Sequence, residues 1–218
     1  FHNAEDQLRG EAATLQFFSS GQFSNPMVLR IAGLAYQKGF GGHFHNDNSL
    51  AIFRDIPGII LGVPSNGSSA VKMFRHALKL AYEEKRIVVF IEPIALYMTK
   101  DLHEKNDGQW SFNYPKHSEE ITLGQTIRYG TSKVLTILSY GNGLYLSLRA
   151  KKEIEKKIDE TIQIIDLCWL SNIKINNLLK QIGNCSSVLI VDECRKSGCY
   201  GEGLICLLYT SPSPRDGF

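Results

Sequence analysis

Short apolar runs recur along this chain, separated by stretches with helical periodicity, and that alternation restricts the fold more than any other feature. Residues 59–63, 87–91, 134–138, 162–167 and 188–192 are such runs, and they are far too short to cross a bilayer. Bounded by turn residues, they read as buried strands. Between them Val71, Phe74, Leu78 and Tyr82 recur at helical spacing, predicting a helix through about Glu84. Leu144, Leu148 and Ile154 mark a second helix over 144–157, and 173–182 a third. Strands joined by helices of this length require crossover connections, hence parallel sheets with helices on their faces and right-handed links. The expected class is α/β, with two consecutive three-layer α/β domains built on mainly parallel sheets.

The remaining segments fit around that frame. Residues 5–18 suit a helix weakened by Gly10, 27–31 a strand, and 49–55 a short helix closed by Pro57-Gly58. Residues 33–42 form a glycine-bearing loop. In the turn at 64–68, the serines are candidate caps for the helix that follows. Residues 98–120 are polar, with Asp107-Gly108 and Tyr114-Pro115 as turn signals, and read as a linker or long functional loop. Tyr140-Gly141-Asn142-Gly143 reads as a sharp turn. Any helical pattern stops after Leu208. The Pro- and Ser-rich stretch 207–218 looks like translated adapter sequence and is expected to be non-native.

Composition excludes several classes. With 43% hydrophobic and 21% charged residues, the chain has the balance of a globular protein that can bury a core. A formal net charge of +2 gives no electrostatic case for nucleic acid or an anionic membrane. The basic run 149–157 contains an i,i+4 pair, Glu153 and Lys157, and reads as a solvated helix face. All five cysteines lie in the last quarter, and the odd count and the Cys194-x4-Cys199 spacing fit neither a disulfide framework nor zinc. Reduced thiols are expected. The N-terminal residues carry no targeting signal, and without an initiator Met the chain is expected to begin inside a domain.

A family likeness enters with specific residues. Glu5-Asp6-Gln7, Glu11-Ala12-Ala13, Ser20-Gly21-Gln22-Phe23 and Val28-Leu29-Arg30 resemble the pyrimidine-binding domain of beta subunits of thiamine-diphosphate-dependent 2-oxo acid dehydrogenases. The likeness continues through Gly41-Gly42-His43-Phe44-His45-Asn46-Asp47-Asn48-Ser49, Ile56-Pro57-Gly58-Ile59, Val63-Pro64-Ser65 and Val88-Val89-Phe90-Ile91-Glu92-Pro93 with Leu96-Tyr97. Farther on, Ile137-Leu138-Ser139-Tyr140-Gly141-Asn142, Ile164-Ile165-Asp166-Leu167 and Leu189-Ile190-Val191-Asp192-Glu193 with Gly198, Gly201 and Glu202 resemble a transketolase-type C-terminal domain. No single piece is diagnostic. The ordered set, covering nearly all of 4–206, is quite specific. It implies a partial pyrimidine-binding domain over 1–115, a transketolase-like C-terminal domain over 121–206, and the tail 207–218.

The resemblance implies the chemistry. Such enzymes decarboxylate a 2-oxo acid on thiamine diphosphate and pass the acyl group to a lipoyl arm. The cofactor lies between two halves. The alpha half holds its diphosphate and magnesium through a Gly-Asp-Gly…Asn motif that this chain lacks, and the carboxylate that activates the pyrimidine is expected upstream of Phe1. His45 matches the active-site loop histidine of the family. Its titration near neutral pH suits general acid–base work or stabilising an oxyanion. Taken alone, it reads as a loop histidine bonded to a backbone carbonyl. His43 is its candidate partner in catalysis. His43-x-His45 with Asp47 also has alternate-residue spacing for a metal, but the dehydrogenase reading needs none here. The family pattern in this loop is Gln-His-Ser-Gln or a close variant. Phe44-His45-Asn46-Asp47 departs from it, which bears on substrate identity more than on reaction class.

The glycines at 39, 41 and 42 do not have the strand-to-helix spacing of a phosphate cradle. Arg30 at a strand end could pair with a carboxylate in the core or in the substrate, the structural role being favoured, and Glu92 reads as organising an interface. Asp192-Glu193 reads as interface or local hydrogen bonding, with a functional role as the alternative. Cys168 stands where the family commonly has an arginine. The expected partners are an alpha subunit or alpha-like domain, a lipoyl-bearing acyltransferase and a 2-oxo acid substrate, in a dimer or heterotetramer. The piece is expected to be inactive alone, in the cytoplasm or, in a eukaryote, the mitochondrial matrix. The rival readings are another transketolase-like enzyme, for ketol transfer or deoxyxylulose-phosphate synthesis, and a non-catalytic assembly subunit.

Overall fold

The computed structural model describes residues 2–34, 48 and 50–210. The apolar runs become strands, and they gather into two sheets. In the first, β1 (Met27–Gly33), β2 (Ile59–Gly62) and β3 (Ile87–Pro93) are parallel in the order β1-β3-β2. All four residues of β2 are buried, as are all of β3 except Glu92. Residues alternate between the two faces of a strand. Ile60, Val88 and Phe90 therefore pack with Met73, Ala77 and Leu80 of one helix, and Ile59, Leu61, Val89 and Ile91 pack on the other face with Leu8, Phe53 and Ile56.

The helix on the first of these faces runs Gly67–Tyr82. Asn66, not a serine, is its N-cap. The Asn66 side chain accepts from Ser69 N at 2.9 Å, and Asn66 N donates back to Ser69 Oγ at 3.1 Å. Asparagine caps as well as serine does, and the reciprocal bond from Ser69 decides between them. The opposite face is covered by Ala51–Asp55 and by the N-terminal helical stretch. That stretch is broken into Glu5–Gln7, a π segment at Leu8–Ala13 and Leu15–Phe18. Gly10 lies in the π segment, and Thr14 Oγ1 donates to its carbonyl at 2.8 Å. Named in chain order, the α-helices so far are α1 (Glu5–Gln7), α2 (Leu15–Phe18), α3 (Ala51–Asp55) and α4 (Gly67–Tyr82).

The second sheet has the order β4-β6-β5-β7, with β4 (Ile127–Tyr129), β5 (Leu135–Ser139), β6 (Ile162–Asp166) and β7 (Ser187–Ile190). β5, β6 and β7 are parallel, whereas β4 pairs antiparallel with β6. The alternation of apolar runs did not predict β4. It has three residues and pairs on one edge only, so it needs no long apolar run. α5 (Gly141–Ile158) covers one face, where Leu144 packs on Ile137, Ile162 and Ile164. It begins at Gly141, so 141–143 is the first turn of a helix and not a separate sharp turn. Gly143 is required there, because a Cβ would meet Ser139 Oγ at 2.2 Å. α6 (Ile175–Ile182) and α7 (Tyr200–Thr210) lie on the other face, placing Leu178, Ile182 and Leu204 in the cluster that holds Leu138 and Ile165. Helical structure thus continues past Leu208 to Thr210. Among the described residues, no helix is long and apolar enough to cross a membrane.

The two sheets are stitched by backbone. After β6 the chain runs beside β2: Val63 N donates to Cys168 O and Leu170 N to Leu61 O, both at 2.8 Å. Trp169 is buried against Gly62, where a Cβ would stand 2.8 Å from the indole. Only glycine permits that approach.

Candidate functional site

Ligands in parallel α/β sheets gather at the carboxyl ends of the strands, and two clefts lie there, sharing Leu96 as a wall. The first, about 750 Å³, follows β1 and β3 and the start of α4. Its polar centre is Glu92. Arg30 Nε donates to Glu92 Oε1 at 2.5 Å, the guanidinium makes a second bond to Oε2 at 3.1 Å, and Tyr97 OH donates to Oε2 at 2.5 Å. Burial alone would raise the carboxyl pKa. The bonds from Arg30 and Tyr97, with the charge of Arg30, outweigh it and hold Glu92 below the usual carboxylate range. The Tyr97 phenol is pushed up to about 12 by burial and by Glu92. Arg75, at the same rim, donates to the carbonyls of Pro115, Lys116 and Glu119 and lies over Tyr114. The charges at this cleft are engaged internally, so Arg30 and Glu92 are structural partners.

The second cleft, about 660 Å³, is walled by the turn after β3, the start of α5 and the chain after β7. Asn142, 6% exposed, lies in the first turn of α5. Its Nδ2 donates to Leu34 O and to Glu193 Oε2, both at 2.5 Å. Asn48 Nδ2 donates to Glu193 Oε1 at 3.4 Å, and Cys194 Sγ to Asn48 O at 2.9 Å. Beside them, Asp192 accepts from Tyr140 OH and, at 2.7 Å, from Gly201 N. Burial first, and then Asp192, push the Tyr140 phenol well above its ordinary value. Asp192 and Glu193 act in local hydrogen bonding, and Glu193 reaches the other sheet unit as well.

A third polar group lies between the sheets. Asp166, at the end of β6, is fully buried. Ser65 Oγ donates to its Oδ1 at 2.9 Å and in turn accepts from Gly141 N at 2.8 Å. Oδ2 has no hydrogen-bond partner. Burial pushes the Asp166 carboxyl up to about 7, and the bonds from Ser65 and Cys168 N only partly oppose this. Cys168 is fully buried, and burial with the charge of Asp166 drives its thiol well up.

His43 and His45 lie outside the described residues, as do Asp47 and the glycines at 39, 41 and 42. The structure does describe both flanks of that segment, Leu34 and Asn48, and it brings them to the Asn142–Glu193 pair. Sequence reasoning took Asn142 as a turn residue and overlooked it. The available signal was an amide directly after a strand-to-helix glycine. The described residues do not make a site for thiamine diphosphate or its magnesium. Glu92, the carboxylate beside an aromatic wall, is already taken by Arg30 and Tyr97, and no cluster of three or more metal-binding side chains occurs among the described residues.

Two α/β units with mainly parallel sheets, meeting at clefts on the strand ends, give the chain a fold like that of transketolases. Residues 124–212 match the transketolase C-terminal domain. A solved structure described as a split-gene transketolase, inactive beta4 tetramer, superposes with a TM-score of 0.68 at 17% identity, covering 97% of this chain and 60% of that one. That likeness concerns the fold. Along its sequence, the chain is similar to beta subunits of 2-oxo acid dehydrogenases. It is 27% identical to the mitochondrial 2-oxoisovalerate dehydrogenase subunit beta of Dictyostelium discoideum, over 89% of this chain and 49% of that protein. It is also 27% identical to the pyruvate dehydrogenase E1 component subunit beta of Cyanidium caldarium, over 95% and 58%, and to the 2-oxoisovalerate dehydrogenase subunit beta of Pseudomonas aeruginosa, over 94% and 57%. The chain spans about half the length of these relatives.

Proposed function

We propose that the chain supplies the beta side of a thiamine-diphosphate-dependent 2-oxo acid dehydrogenase. The reaction releases carbon dioxide from the 2-oxo acid, oxidises its acyl carbon and reduces a lipoyl disulfide as the acyl group is transferred. The observation that carries the reading is the ordered similarity to dehydrogenase beta subunits over most of the chain. The described flanks of the segment bearing His43 and His45, Leu34 and Asn48, both hydrogen-bond to the Asn142–Glu193 pair. The cofactor, when bound, supplies the nucleophile and the electron sink. Its diphosphate and magnesium are assigned to an alpha subunit or alpha-like domain. The proposed role of His45 is to donate a proton to the oxygen of the substrate 2-oxo group, with His43 as its neighbour in that task. A lipoyl-bearing acyltransferase receives the acyl group, and the assembly is a dimer or heterotetramer. Its compartment is the cytoplasm, or the mitochondrial matrix in a eukaryote.

The test is turnover of the chain assembled with an alpha subunit, supplied with pyruvate, 3-methyl-2-oxobutanoate or a sugar phosphate. Carbon dioxide release from a 2-oxo acid is expected. The chain alone is expected to release none. His45→Ala is expected to lower kcat by roughly 100-fold or more while the assembly stays intact. Undiminished turnover would favour the assembly-subunit reading, and turnover of the sugar phosphate alone a ketol-transferring one.

A further inference from the structure

We propose that the cleft following β1 and β3 is a binding site for a small planar aromatic acid. Its apolar lining sets the shape of the ligand. α4 contributes Val71 and Phe74, and the chain after Trp110 contributes Phe112 and Tyr114. Phe74 packs edge-on against Phe90, and Trp110 edge-on against Phe112, both with ring centroids 5.4 Å apart. Phe112 and Tyr114 nevertheless stay 43% and 79% exposed. Aromatic side chains left open around a cleft of about 750 Å³ offer apolar surface that a flat ring covers.

The polar lining sets the charge. Among the described residues at this cleft, Arg30 and Arg75 are the cations and Glu92 is the anion, so two positive charges stand against one negative. Arg75 donates to the carbonyls of Pro115, Lys116 and Glu119, which hold its guanidinium without neutralising it. Arg30 gives Glu92 two of the five N–H donors of a guanidinium. Its side chain is 63% exposed, which leaves the remaining donors open to a ligand. Trp110 supplies an independent sign. It is 6% exposed and lines the same cleft, and its Nε1 is buried without a hydrogen-bond partner. An indole N–H can only donate, and a buried donor left unpaired is costly. The unsatisfied groups are thus donors and the net charge is positive, so the ligand that fits is an acceptor and an anion. A carboxylate on a flat ring meets both conditions. The ring lies against Phe74, Phe112 and Tyr114, and the carboxylate oxygens accept from Arg30 and Trp110. Glu92, on the far side of the Arg30 pair, disfavours a doubly charged phosphate more than a singly charged carboxylate.

The test is calorimetric titration of the full chain with 2-naphthoate and with its neutral counterpart, 2-naphthylmethanol. Saturable one-to-one binding of 2-naphthoate is expected, with a Kd on the order of 0.1–1 mM for a ligand of this size. The alcohol is expected to bind about tenfold more weakly, because it lacks the charge-assisted bonds. Phe112→Ala and Tyr114→Ala, at the exposed rim, are each expected to weaken 2-naphthoate about fivefold. Trp110→Phe keeps an aromatic ring, removes the N–H and is expected to weaken it by a similar factor, about fivefold. The rim variants change exposed side chains, so they decide the outcome if Trp110→Phe fails to fold, as read by circular dichroism. No saturable binding of 2-naphthoate, equal affinity for the alcohol, or unchanged affinity in both rim variants overturns the proposal.

Discussion

Asp166 joins complete burial to a carboxyl oxygen without a hydrogen-bond partner. A carboxyl with no exposure, one oxygen unpartnered and no cation in contact among the described residues is costly to ionise. Cys168, where the family resemblance predicts an arginine, brings no charge to offset it. Burial raises the folded pKa to about 7 from an ordinary 3.8. The native state therefore binds more protons than the unfolded chain between those values. Stability is fully present below about pH 4 and is lost as pH rises through 7. About three pH units at 1.36 kcal/mol each give a loss on the order of 4 kcal/mol. Asp166→Asn, measured by urea unfolding at pH 5 and pH 8, is expected to show a smaller fall between those pH values than the parent chain. An equal fall in both would show that Asp166 is not the group responsible. By contrast, Arg30, Glu92 and Tyr97 satisfy one another, and a wholly apolar reading of the strand ends would have missed that triad.

At the scale of elements, local signals fixed the helices and strands that carry long apolar patterns. β2, β3, β5 and β6 fall on the runs expected of them, because a strand buried on both faces is mostly apolar, with Thr136, Ser139, Gln163 and Asp166 as buried polar exceptions. Boundaries set by side-chain bonds were less legible. The cap of α4 is an example: Asn66 and three serines nearby all carry acceptors, and only the reciprocal Asn66–Ser69 bonds select one. Asn66→Ala is expected to lower stability by about 1 kcal/mol, read as a shift of the urea midpoint with unchanged slope. The polar stretch 98–120 is another example. Its composition suggests a linker or a long functional loop without showing what orders it: Asp107 accepts from the backbone N–H groups of Leu102, His103, Glu104 and Gln109, and Trp110 is buried against Tyr145 of α5. Those bonds outweigh the cost of burial and hold the Asp107 carboxyl far below its usual range. A run of polar residues does not reveal which of them will be satisfied by backbone.

Across the whole molecule, the decisive feature is the seam between the sheets. Ile59, Leu61, Val89 and Ile91 of the first share one apolar cluster with Leu138, Ile165 and Leu167 of the second. The strand-like pairing of 167–171 with β2 joins them by backbone. Gly62→Ala would force the Trp169 indole away and is expected to destabilise the chain by roughly 1–3 kcal/mol. Because the cluster is shared, both sheets are expected to unfold in one transition, with tryptophan fluorescence and far-ultraviolet circular dichroism coinciding. Two separated transitions would show that the seam does not couple them.

The sequence by itself determined the α/β class, the strands buried on both faces and the family likeness, because each is written in local periodicity or in an ordered set of short matches. Only the tertiary structure decided that β4 joins the second sheet antiparallel, that Asp166 is sealed between the units, and that Asn142 and Glu193 meet at the flanks of the histidine-bearing segment. These depend on residues 35 to 145 positions apart. No local pattern encodes such pairs; packing the two sheets together creates them.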